Sequence, residues 1–251
     1  MGGEKYMGGS PIAGGAESIG KAKNMEKSES MVRLEHVKKA YKGNVLFTDL
    51  NLSVKRGESC AIIGVNGSGK SVLLKMVCGL VRPDEGAVTV AGERIEKGKF
   101  PQNIGVILDN AGFLPNETGL QNLSIIAGIL KKVRKEDLEA VMRLVGLDPA
   151  SKVKVGKYSL GMKQRLAIAQ ALMEKPELLI LDEPFNAIDQ ETIQDFRSLL
   201  ERLNAEEGVT ILMTSHHQED IQGLCKSIYQ IESKNLEKIE LMEREGYRQL
   251  T

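Results

Sequence analysis

With 251 residues, 34 basic and 34 acidic side chains and 41% hydrophobic residues, the chain fits one ordinary folded unit or two closely joined lobes. A formal net charge of zero excludes the broad cationic field that drives nonspecific nucleic-acid binding, so no nucleic-acid partner is expected. No apolar run reaches the roughly eighteen residues of a bilayer-crossing helix, and no charged head plus apolar stretch marks a secretion signal, so the chain itself is expected to stay out of the membrane.

Residues 1–30 carry paired glycines at 2 and 3, 8 and 9, and 14 and 15 with few large apolar groups, and read as a disordered segment or an expression tag. From Val32 onward strand-like and helix-like segments alternate, the pattern of an α/β fold with a largely parallel sheet. Strands are predicted at 32–37, 50–54, 59–64 and 87–92, with the amphipathic helix SVLLKMVCGL after the third. A further strand, IGVIL, spans 104–108. Between Asn110 and Tyr158 the strand signals stop, and QNLSIIAGILKKV and KEDLEAVMRLVGL space their apolar residues by three and four, which reads as a helical insertion. GMKQRLAIAQALMEK is a strong helix former with Ser159 placed to cap it and Pro176 to bound it. Strands then follow at 178–182, 209–213 and 227–231, and residues 233–251 read as a short charged extension with no fold of their own. Cys60, Cys78 and Cys225 are far apart, odd in number and set in apolar contexts, the signature of buried thiols in a reducing cytosol.

GVNGSGKS, residues 64–71, fits G-x-x-x-x-G-K-S between a buried strand and a helix. Its glycines let successive backbone N–H groups turn inward as a nest for phosphate oxygens at a helix N-terminus. Gly64, Asn66, Gly67, Ser68, Gly69, Lys70, Ser71 and Val72 are therefore the candidate nucleotide contacts, with Lys70 reaching the β- and γ-phosphates and the Ser71 hydroxyl placed for Mg²⁺. The loop alone leaves kinase, GTPase and ATPase open. In LLILDEP, residues 178–184, a buried strand ends in two adjacent carboxylates whose side chains diverge. Asp182 is the candidate Mg²⁺ residue and Glu183 the candidate that polarises an attacking water.

With DEP closing that strand and YSLGMKQR just upstream, residues 32 to 232 resemble the nucleotide-binding subunit of an ABC transporter. The resemblance implies a RecA-like P-loop NTPase core with an antiparallel β lobe and an inserted α-helical subdomain at about 110–165, the whole domain covering 31–232. YSLGM takes the place of the family's LSGGQ signature, which makes Ser159 and Gly161 the matching positions, used against the ATP of a partner subunit. Tyr41 stands where the family stacks an aromatic on adenine, and Asp189 of NAID matches a residue of the dimer seam. His216 matches the switch histidine, which joins Glu183 and Lys70 as the catalytic set. One departure stands out: the glutamine expected after the strand IGVIL is Asp109, which keeps an oxygen ligand for Mg²⁺ but loses the carboxamide donors.

What the resemblance implies is an ATPase using ATP and Mg²⁺, working as a homodimer or with a paralogous ATPase, and docked on a separate transmembrane permease at the inner face of the cell membrane. The altered signature and Asp109 lean toward the subgroup of bacterial efflux or self-immunity ATPases for antibiotics and peptides. Two other readings stay open at this point: a soluble ABC ATPase acting on a cytosolic assembly such as cluster biogenesis, and an ATP-dependent regulator that no longer hydrolyses.

Overall fold

The computed structural model describes residues 29–108, 112–130, 133–186, 188–216 and 221–239. Residues 1–28, Asp109 and residues 240–251 lie outside the described residues, as do the expectations that fall on them.

The chain opens on a long hairpin, β1 (Ser30–Tyr41) and β2 (Asn44–Lys55). Its turn is Lys42-Gly43, both at positive φ (48° and 82°), which suits the right-handed twist of paired strands. Next come β3 (Ser59–Ile63), α1 (Lys70–Val77), β4 (Glu85–Val90), the short β5 (Glu93–Arg94) and β6 (Ile104–Ile107). Three helices follow, α2 (Gly119–Leu130), α3 (Lys135–Leu144) and α4 (Leu160–Leu172), and then β7 (Leu178–Asp182), α5 (Gln190–Glu207), β8 (Thr210–Ser215), β9 (Ser227–Glu232) and β10 (Asn235–Ile239).

These strands form two sheets. One is wholly antiparallel in the order β2-β1-β4-β5; the other runs β10-β9-β3-β8-β7-β6 and is parallel except for β10. The parallel strands are apolar on both faces because both faces are covered. Cys60, Ile62, Leu178, Ile180 and Leu212 face a core shared with the antiparallel lobe and α1, where Leu34, Phe47, Leu50 and Leu74 are buried. The alternate residues Ala61, Leu179, Leu181, Ile211 and Met213 face a second core shared with α2 to α5.

In that second core Leu166 of α4 is fully buried. Next to it in sequence, Arg165 donates to Val145 O at 3.0 Å and pairs with Asp195 of α5 at 2.7 Å, fixing α4 between the end of α3 and α5. Leu166→Ala should therefore leave a cavity that cannot collapse freely, costing about 2–5 kcal/mol of unfolding free energy in a urea titration.

The cysteines are buried as expected. Burial pushes the Cys78 and Cys225 thiols up to about 12, and raises Cys60 well above the usual thiol range.

The expected strand at 87–92 stops at Val90, because Ala91 and Gly92 take positive φ (52° and 85°) and turn the chain into β5. The parallel sheet also continues beyond the expected domain boundary at 232. β10 pairs antiparallel with β9, and Thr48 of β2 bonds Lys234 O at 3.1 Å and Asn235 Oδ1 at 2.7 Å. An edge strand needs little apolar alternation, and NLEKI, with Leu236 and Ile239 between charges, carries little.

Candidate functional site

The parallel register builds the site. Ile63 is paired with Ser215 and Asp182 with Thr214, so the chain leaves β3, β7 and β8 at one edge of the sheet. That edge is the carboxyl end of the strands, where open α/β sheets bind ligands. Residues 64–69, the pair Asp182-Glu183 and His216 are thereby gathered from three remote stretches of sequence.

The loop 64–69 feeds α1 through Gly69, at φ 107°. A Cβ there would sit 2.6 Å from Phe47 Cζ of the antiparallel lobe, so glycine alone lets that lobe close over the loop. Lys70, only 6% exposed, donates to Gly64 O at 2.8 Å and pairs with Glu183 Oε1 at 3.2 Å. Ser68 Oγ is buried without a hydrogen-bond partner, an orphaned donor beside a helix N-terminus that a phosphate oxygen would satisfy.

Glu183 is the hub of the polar network. Its carboxylate accepts from Lys70, from Asn186 Nδ2 at 3.1 Å and contacts His216 Nδ1. Burial pushes its carboxyl up, but the hydrogen bonds from His216 and Lys70 outweigh that and hold it below the usual carboxylate range. It is thus ionised at neutral pH, as a group that orients water must be. Its backbone sits at φ 49°, a left-handed conformation that a non-glycine residue adopts only when its surroundings impose it.

A cleft of about 720 Å³ is lined by Tyr41, Asn66, Gly67, Gly69, Lys70, Ser71, Val72, Asp182 and Glu183, together with Leu46, Gln164 and Asn186. Tyr41 is half exposed at its rim, with Lys39 Nζ 5.0 Å from the ring centroid. Ser71 and Asp182 bring one hydroxyl and one carboxylate to the same cleft. No group of three or more acidic, histidine or cysteine side chains suited to a metal exists among the described residues. An all-oxygen set this sparse fits Mg²⁺, which keeps several waters and takes substrate phosphates as its other ligands.

Three expected site residues are not themselves part of the cleft lining, although Leu160, between Ser159 and Gly161, is. Ser159 caps α4 by accepting from Met162 N at 3.2 Å, and Asp189 caps α5 by accepting from Thr192 N at 2.9 Å. Gly161 packs on that second cap, where an added Cβ would stand 3.3 Å from Asp189 Oδ2 and 3.1 Å from Thr192 Oγ1. Asp109 lies outside the described residues. Sequence reasoning gave no role to Asn186 or Thr214, and placed Gln164 only as part of the signature match. Gln164 donates to Pro184 O at 2.8 Å, tying α4 to the turn that follows Glu183. Asn186 and Gln164 stand inside motifs legible in the sequence, whereas the part played by Thr214 emerges only from the pairing of strands.

Fold and site together define a P-loop nucleoside triphosphatase. The sequence profile of the family described as ABC transporter matches residues 47–186. The chain is 38% identical over 210 residues to the uncharacterized ABC transporter ATP-binding protein YybJ of Bacillus subtilis (strain 168), covering 83% of this chain and 96% of that one. It is 39% identical over 211 residues to the bacitracin transport ATP-binding protein BcrA of Bacillus licheniformis, covering 83% and 69%. It is 37% identical to the linearmycin resistance ATP-binding protein LnrL of Bacillus subtilis (strain 168), covering 78% and 65%. Among solved structures, the post-hydrolysis dimer of the ATP-binding cassette MJ0796 bound to ADP and Pi superposes with a TM-score of 0.76 at 25% identity, covering 85% of this chain and all of that one. The chain belongs to the ABC transporter family, as one of its ATP-binding ATPase subunits.

Proposed function

We propose that two copies of this chain, or one copy and a paralogous ATPase, close over two Mg-ATP molecules and drive a separate membrane permease that exports an antibiotic, a peptide or a similar compound. The observation that carries the reading is the convergence of Lys70, His216 and Asn186 on the carboxylate of Glu183 at the rim of the phosphate loop. In this reading the loop amides from Gly64 to Gly69 and the Lys70 ammonium hold the triphosphate, and Tyr41 stacks on the base. Ser71 and Asp182 hold Mg²⁺, which would supply charge neutralisation at the β- and γ-phosphates. Asp109 is proposed as a further oxygen donor toward the same ion. Glu183 orients the attacking water, with His216 and Lys70 fixing its carboxylate.

Ser159 and Gly161 would act on the nucleotide of the opposing subunit, with Asp189 at the seam. The dimeric MJ0796 cassette supports a site completed by a second copy. Ser159→Ala should cost about 1 kcal/mol through its lost cap and, beyond that, suppress cooperative hydrolysis in a mixed dimer with wild-type chain. A change in melting alone, with hydrolysis intact, would remove Ser159 from the shared site.

Export is supported by the names of the bacitracin transport and linearmycin resistance relatives. No helix among the described residues is long and apolar enough to cross a membrane, and the proposal assigns the pathway to the separate permease. Affinity purification from detergent-solubilised membranes is expected to recover a multispanning protein with this chain. Recovery of soluble partners alone would overturn the transport role.

A further inference from the structure

The geometry points to Thr214 as a positioning residue that sets Asp182 and Glu183 in their working orientation, an inference that rests on the ATPase reading of the same site. Thr214 is fully buried in β8, directly across from Asp182 of β7 in the parallel register. A threonine hydroxyl has one proton to give and lone pairs to accept with. Here the proton goes to Asp182 Oδ1 at 2.6 Å, and the oxygen accepts from Glu183 N at 3.0 Å. One hydroxyl therefore fixes the side chain of the metal-binding candidate and the main chain of the water-orienting candidate together.

The second bond matters because of the backbone it holds. Glu183 sits at φ 49°, which relaxes toward negative φ unless something opposes it. That relaxation would rotate the carboxylate away from Lys70 and His216. β8 and the residue just past its end thus grip Glu183 twice, at its amide through Thr214 and at its carboxylate through His216. Both bonds come from residues outside the loop 64–69.

Two substitutions separate positioning from packing. Thr214→Val keeps volume and β-branching and deletes the hydroxyl; Thr214→Ser keeps the hydroxyl and deletes the methyl. Measured on the full chain well below its melting transition, Thr214→Val is expected to lower kcat for ATP by about 30- to 100-fold with KM changed less than about threefold, because a misplacement of this kind acts on the transition state. Thr214→Ser is expected to stay near the wild-type rate. The affinity of Mn²⁺ for the nucleotide-loaded protein, read by electron paramagnetic resonance, should fall about tenfold in Thr214→Val, as for other groups that orient a metal-binding side chain, and recover in Thr214→Ser.

A valine variant as fast as wild type, or a serine variant as slow as the valine one, would overturn the assignment and leave Thr214 a packing residue. Should the wild-type chain itself hydrolyse no ATP, the ATPase reading falls. The Mn²⁺ titration then judges Thr214 alone, with equal affinities in wild type and Thr214→Val counting against it.

Discussion

Glu183→Gln is expected to slow ATP hydrolysis by about 10²- to 10⁴-fold, the range lost when a positioned base is removed, while ATP stays bound. The substitution preserves volume and leaves the phosphate loop untouched. What changes is the hub: the carboxylate that accepts from Lys70 and Asn186 and meets His216 becomes an amide with one acceptor oxygen and an NH₂ group facing donors. The nucleotide should then persist as ATP, and with Mg²⁺ the chain should elute from a sizing column as a dimer. Hydrolysis at the wild-type rate would remove Glu183 from the water-orienting role. A monomer under those conditions would count against the shared site with Ser159 and Gly161.

Lys70→Met should fail at an earlier step. Its side chain is 6% exposed and its ammonium is bound to Gly64 O at 2.8 Å and paired with Glu183 at 3.2 Å, so it is already aimed before a nucleotide arrives. A charge-assisted bond to phosphate contributes about 1.5–3 kcal/mol, so affinity for ATP should fall about 10- to 100-fold, measured by titration with a fluorescent ATP analogue. Hydrolysis should be lost as well, because the Glu183 carboxyl loses the Lys70 hydrogen bond, one of the two that oppose the effect of burial. The two variants are thus distinguishable: glutamine at 183 retains nucleotide, whereas methionine at 70 releases it. Undiminished affinity in Lys70→Met would place the triphosphate elsewhere.

Much of this architecture is legible in the sequence, for identifiable reasons. The parallel strands β3, β7 and β8 are short, apolar on both faces and bounded by polar turns, so composition alone marks them. The phosphate loop is equally visible because its glycines and lysine are contiguous. The helical insertion shows in the spacing of apolar residues along α2 and α3. Edge structure is less visible: β10 is charged, and β5 is two residues long. Thr214 is hidden for a different reason. Its significance arises from lying across from Asp182, thirty-two positions away in the chain, and no local pattern announces a register between strands. Asn186 was within a recognised motif, yet its bond to Glu183 depends on the turn that brings the chain back over its own strand end.

The buried cysteines carry a practical consequence. With all three thiols enclosed and hard to ionise, the native chain should be silent to maleimide at neutral pH. A single cysteine introduced at exposed Val153, beside the helical lobe, would then carry the only label in the molecule. Spin probes there could report how far two subunits travel during a turnover cycle, with no need to strip the wild-type background first.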